Sequence, residues 1–124
     1  MSVWYKDYLQ KEQQLFERRI AEAEKTVAAL VKAVEAFERD YARLPDNLEM
    51  LIERPADMNR GWSRNPGRWP YYKGDRIPLD PWGQKYQYLV PGRYNPDSFD
   101  IWSFHGHSRD QRLWIGNWQP EKKD

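Results

Sequence analysis

Cysteine is absent from the chain, which excludes disulfides and thiolate metal sites while leaving the compartment open. No run of about 18 apolar residues occurs, and no signal-peptide pattern, so the chain by itself is expected to be soluble and neither to span a membrane nor to export itself. Charge of one sign is lacking too: 20 basic residues face 19 acidic ones, and a net charge of +1 offers no general case for nucleic acid. There is no Gly-x-Ser-x-Gly elbow, no Gly-rich phosphate loop and no nucleophile with a base and an orienting group, so no enzyme is expected. Beyond residue 53 aliphatic side chains are scarce, and a core in that half has to be filled by aromatic rings. Seven Trp and eight Tyr supply them.

Glycine and proline are also missing from the first 44 residues, where Ala, Glu, Lys and Gln dominate. Trp4, Tyr8, Leu15, Phe16, Ile20, Val27, Leu30, Val31, Val34, Phe37 and Tyr41 fall at helical spacing, which predicts one helix of up to about 40 residues, roughly 60 Å long. That outreaches a domain of this size. The denser half from Ile20 to Tyr41 is expected to lie on a sheet, and residues 1–19 to project. Pro45 ends the pattern, and Asp46 followed by Glu49 reads as a capping box for a short helix of two turns. Residues 54–78 read as an ordered loop. Its Arg54, Arg60, Arg64, Arg68, Lys73 and Arg76 alternate with Trp62, Trp69, Tyr71 and Tyr72, a solvated face over a packed aromatic underside rather than a nucleic-acid platform.

Strands are predicted at about Tyr86 to Val90, Ser98 to Ser103 and Leu113 to Asn117. Before them, Asp80-Pro81-Trp82-Gly83 is a turn: proline presets φ, glycine accepts a positive φ, and the carboxylate can take backbone hydrogens. The stretch Leu79-Asp80-Pro81-Trp82-Gly83-Gln84-Lys85-Tyr86-Gln87-Tyr88, then Phe99-Asp100-Ile101-Trp102-Ser103 and Ile115-Gly116-Asn117-Trp118, resembles in order and spacing the major pseudopilins of type II secretion systems, the general secretion pathway protein G family. The likeness reaches back through the helix to Ala42-Arg43-Leu44-Pro45 and spans roughly residues 20 to 118.

The resemblance implies an α+β, type IV pilin-like fold: a long helix (1–44) on a three-stranded antiparallel sheet (79–118), with a short helix and irregular loop (45–78) between them and a tail (119–124). Trp82, Tyr86, Tyr88, Ile101 and Trp118 are expected between helix and sheet. The implied function is that of a non-enzymatic filament subunit supporting protein export across the outer membrane. Its implied partners are other copies, other pseudopilins and an inner-membrane assembly platform, at the periplasmic face of the inner membrane. Pseudopilins open on a Phe-Thr-Leu-Ile-Glu type of segment, whereas this chain opens Met1-Ser2-Val3-Trp4-Tyr5-Lys6-Asp7. The segment is then either removed or replaced in a soluble relative. A different class of answer is an aromatic-lined carbohydrate- or peptide-binding module, which exposed Trp62, Trp69 and Trp114 in one patch would favour.

The resemblance also implies a calcium loop between the last two strands, here Phe104, His107, Ser108 and Asp110. Only Asp110 offers a carboxylate, between Arg109 and Arg112, so no metal or other cofactor is expected. His105 and His107 form a His-x-His pair, but zinc needs four ligands and Asp110 alone stands near.

Overall fold

The computed structural model describes residues 3–54, 69–106 and 108–118, with side chains from residue 6 onward. Arg60, Trp62, Arg64, Arg68, His107 and the 119–124 tail lie outside the described residues.

Helix α1 runs Val3–Tyr41 without a break, as a stretch free of Gly and Pro allows. Ala23, Val27, Leu30, Val34, Phe37 and Tyr41 are buried along one stripe, whereas residues 6–19 are exposed throughout. The helix stops earlier than the proline suggests. Ala42 takes φ +57 and its N–H still reaches the Glu38 carbonyl, a left-handed residue closing the last turn. After it, Arg43 pairs with Asp46 at 2.7 Å. The expected two-turn helix is one 3₁₀ turn, Leu48–Leu51, and its cap is Asn47, whose side chain accepts from the Met50 N–H. With its carboxylate on Arg43, Asp46 is not the cap.

Strands β1 (Gln87–Leu89), β2 (Asp100–Ser103) and β3 (Ile115–Gly116) form an antiparallel sheet in that order, each shorter than the sequence suggests, although β2 ends at Ser103 as expected. Tyr88 pairs with Ile101 and Trp102 with Gly116. Leu113, expected in a strand, ends a 3₁₀ turn, Gln111–Leu113, instead. Helix α1 lies across β2 and β3. The core joins its stripe to Leu48, Leu51, Tyr86, Phe99 and Ile101.

Aromatic donors tie the loop and sheet to the C-terminal end of the helix. The Tyr88 hydroxyl donates to the Pro45 carbonyl at 2.7 Å, the Tyr71 hydroxyl to Asp40 at 2.7 Å, and the Trp69 indole N–H to the Met50 carbonyl at 2.8 Å. Trp69, Tyr71 and Tyr72 thus pack on the core, the underside expected for this loop, while Lys73 and Arg76 are exposed.

Two measurements follow from this packing. Leu30→Ala, which hollows a fully buried site, is expected to cost about 2–5 kcal/mol in urea unfolding. Deleting residues 3–15, whose described side chains (6–15) are all exposed, is expected to leave a single cooperative transition with little change in Tm; loss of that transition would place the segment in the core.

Candidate functional site

A sheet this small leaves most of its flanking chain to be held by side chains, and two buried carboxylates do it. Asp80, 4% exposed, accepts the N–H groups of Trp82 (3.1 Å) and Gln84 (2.8 Å) on Oδ1. Its Oδ2 accepts the Ser103 hydroxyl of β2 at 2.7 Å. The Asp-Pro-Trp-Gly turn, with Gly83 at φ +83, is therefore bolted to the middle strand. The same Ser103 oxygen accepts the N–H of His105 at 3.2 Å, so one hydroxyl joins both turns that flank β2's end.

Asp100, 1% exposed, takes four hydrogens: the N–H groups of Arg93 (2.7 Å), Tyr94 (2.9 Å) and Asn95 (3.0 Å), and the Asn95 amide at 2.9 Å. Its carboxylate is the mould for the turn at 91–97. Gly92 is required there by contact, because a Cβ would collide with the Asp100 carboxylate and the Asn95 carbonyl.

Asn117 completes the frame by continuing β3 with its side chain. Its carbonyl oxygen accepts the Ile101 N–H at 3.0 Å and its amide donates to the Phe99 carbonyl at 3.0 Å, while its backbone N–H donates to the Ile101 carbonyl at 3.1 Å.

Of the residues expected between helix and sheet, Tyr86 and Ile101 are buried there and Tyr88 lies at the core's edge. Trp82 is only half-buried, edge-on to His105 with centroids 4.8 Å apart. A turn residue has no strand period to carry it inward. Trp118 lies on the opposite face. Trp102 alternates with Ile101 and Ser103 and so points away from α1, and Trp118 packs against it and stacks on Tyr94 at 4.2 Å. Gly116, paired with Trp102, leaves room for the Trp118 ring, which a Cβ would strike. Trp114 stacks on Trp102 at 5.6 Å, with Phe104 edge-on to both. Trp69 and Trp114 consequently belong to separate clusters, and Trp62 lies outside the described residues.

In the loop after β2, Asp110 caps the 3₁₀ turn through the Arg112 N–H at 3.0 Å. The Arg112 guanidinium closes on both its oxygens at 3.0 and 2.9 Å. Arg112 holds the Asp110 carboxyl below the usual carboxylate range, first by the side-chain bond and then by the backbone one. Ser108 donates its hydroxyl to the Asp110 carbonyl and accepts the Asp110 N–H, and the Trp114 indole donates to the Ser108 carbonyl at 3.0 Å. The one carboxylate of this loop is thus occupied by a cation already. That donor set does not fit calcium, which needs six to eight oxygens. Among the described residues no three His, Asp or Glu converge as a metal site. His105 sits between Trp82 and Phe16, while its partner in the His-x-His pair lies outside the described residues.

Sequence reasoning missed Asn95 and, although Ser103 and Asn117 stand in the quoted motifs, the roles of both. A short polar side chain in or beside a strand is the only signal they offer.

The geometry agrees with what this chain is similar to. A family model described as "Type II secretion system (T2SS), protein G" matches residues 10–112. Similar curated relatives include the type II secretion system core protein G of Pseudomonas aeruginosa, 29% identical over 81% of this chain and 71% of its own length. That of Klebsiella pneumoniae is 33% identical over 83% of this chain and 74% of its own, and that of Vibrio cholerae 30% identical, with 63% of its own length spanned. Among solved structures, the major pseudopilin of the type 2 secretion system of enterohaemorrhagic Escherichia coli superposes with a TM-score of 0.62 at 29% identity, covering 89% of this chain and 93% of that one.

Asp100→Ala removes the buried acceptor of three part-buried backbone N–H groups from a turn that is largely exposed, and is expected to cost about 1–3 kcal/mol in urea unfolding. Burial, with Asp80 and Glu22 nearby, pushes the Tyr86 phenol from 10.0 to about 12; burial also raises Tyr88 and, with the Asp40 bond, Tyr71. A raised folded value means that this stability is fully present below pH 10 and is lost as pH climbs toward 12. Tm is therefore expected to be level from neutral pH to the onset of phenol ionisation and to fall above it. Phenolate absorbance should appear later in the native chain than in urea, and Tyr86→Phe should flatten the alkaline fall.

Proposed function

Because the chain belongs to the type II secretion system protein G family, we propose that it is a structural filament subunit of the major-pseudopilin kind, serving protein export across the outer membrane. The observation that supports this most directly is the framework of Asp80, Asp100 and Asn117. The motif residues that carry the family likeness are spent on holding a head of sheet and turns against one long helix, not on a reactive pocket. A subunit of this kind acts through surfaces. Heads tile outward while helices pack inward, and a head that stays in register with its own helix transmits displacement along the filament. Its partners are other copies of itself, other pseudopilins and the inner-membrane assembly platform, and its place is the periplasmic face of the inner membrane. No described helix is long and apolar enough to cross a membrane. The proposal therefore concerns the part of the relatives that this chain covers, which is 63% of the V. cholerae protein.

The test is a chimera in which the processing and membrane segment of the K. pneumoniae relative is joined to α1 in continuous helical register, expressed in a strain lacking its own protein G. Assembly of filaments and restored secretion are expected. A chimera that is inserted and folded yet makes neither would overturn the reading.

The loop from Phe104 to Trp114 we take to be metal-independent, with Arg112 in the role of the cation. Tm is expected to be equal in millimolar calcium and in chelator. A site of micromolar affinity would instead add about 4 kcal/mol at millimolar calcium, a plain upward shift.

A further inference from the structure

Two consecutive residues of the loop after β2 take the left-handed conformation, His105 at φ +57 and Gly106 at φ +75. Glycine adopts it freely, whereas a side chain there is strained and persists only where its surroundings fix it. At His105 they do. Its N–H donates to the Ser103 hydroxyl oxygen at 3.2 Å, and that hydroxyl is held in turn by Asp80. The imidazole thus placed meets Trp82 edge-on at 4.8 Å and Phe16 at 5.5 Å. Phe16 belongs to the exposed half of α1, and among the described residues this is the one ring contact between that half and the head. The helix is thinly packed on both flanks of the contact. A groove of about 820 Å³ parts Phe16, Ile20 and Val31 from Leu113 and Ile115. On the other flank a cleft of about 560 Å³ parts Leu15, Arg18 and Arg19 from Pro81. Only from Ala23 onward does the buried stripe hold the helix by itself.

We propose that His105 is a strap that gives α1 two positions. Engaged between Trp82 and Phe16, its ring draws residues 12–22 onto the head. Released, those residues move away from the head about a bend near Ala23, which the groove and the cleft permit because little packing has to be broken. The strain at position 105 has a reason on this reading: glycine would relax the turn, so the imidazole is present for what it touches. The inference goes beyond the filament reading and does not depend on it. In a filament the strap sets the angle between a head and its own projecting helix, and so how far one head can adapt to its neighbours.

The absence of cysteine lets two nitroxide labels be placed selectively, on Gln14→Cys in the exposed half of α1 and on Asp97→Cys in the turn at 91–97. Pulsed electron–electron resonance is expected to give one narrow distance distribution for the labelled chain, and a broad or doubled one once His105→Gly or Phe16→Ala is added. Amide exchange at residues 12–20 should quicken at least about threefold in each, the scale of one aromatic contact, while exchange at residues 27–41 and Tm stay level. Because both substitutions cut the same strap, the double variant should exchange no faster than either single one. His105→Asn tolerates the left-handed backbone but has no ring; it should behave as His105→Gly does, and it serves in its place if the glycine variant fails to fold. A broad distribution with His105 and Phe16 in place, unchanged distances and exchange in the single variants, effects that add in the double variant, or quickening that spreads to residues 27–41 would each overturn the inference. Filament assembly by the chimera is read separately, so either reading can fail while the other stands.

Discussion

Burying a carboxylate without a cation beside it is costly unless every lone pair is used, and the head of this protein is organised around two such groups. The three strands have three, four and two residues, too few ladder bonds to fix the chain between them. Asp80 and Asp100 provide what the ladder lacks. Each gathers the N–H groups of a turn onto a point fixed at the middle strand, one across the Ser103 hydroxyl and one from the strand's own first residue. Remove either and a turn loses its template as well as its bonds, which is why these acids matter more to the fold than any single apolar contact at the sheet's rim.

The helix was legible in the sequence because its period is long and uninterrupted, and the Asp-Pro-Trp-Gly turn because proline and glycine restrict backbone angles by themselves. The pairing of Tyr86 and Tyr88 with the core side followed from alternation in β1. Legibility failed where a residue's surroundings are set from a distance. Trp118 follows a strand of two residues, which has no alternation to read, so its placement on the far face against Trp102 and Tyr94 had no local signature. Ala42 stops the helix in a left-handed conformation that its type does not announce. Asn47 takes the cap because Arg43 holds Asp46, a competition between two partners that spacing alone cannot rank.

The two faces of the sheet use their aromatic residues differently. Toward α1, hydroxyls and an indole N–H reach single carbonyls and a carboxylate near the end of the helix and pin geometry. On the far face, Trp102, Phe104, Trp114, Trp118 and Tyr94 stack on one another, and area rather than direction is the contribution. Arg112 closing on Asp110 holds by charge the loop that carries Trp114 to this cluster, while Arg112 itself borders the groove beside α1.

The hydrogen bonds from Tyr71, Tyr88 and Trp69 all fall near the C-terminal end of α1, whereas its first half touches the head through the Phe16 and His105 rings. In mechanical terms the helix is a lever clamped at one end. A pull along its axis from the free end loads the Val27 to Tyr41 stripe in shear, so that all its contacts resist together. A sideways push peels them one turn at a time from the Phe16 end. A head mounted in this way is stiff along the direction in which the helix points and compliant across it.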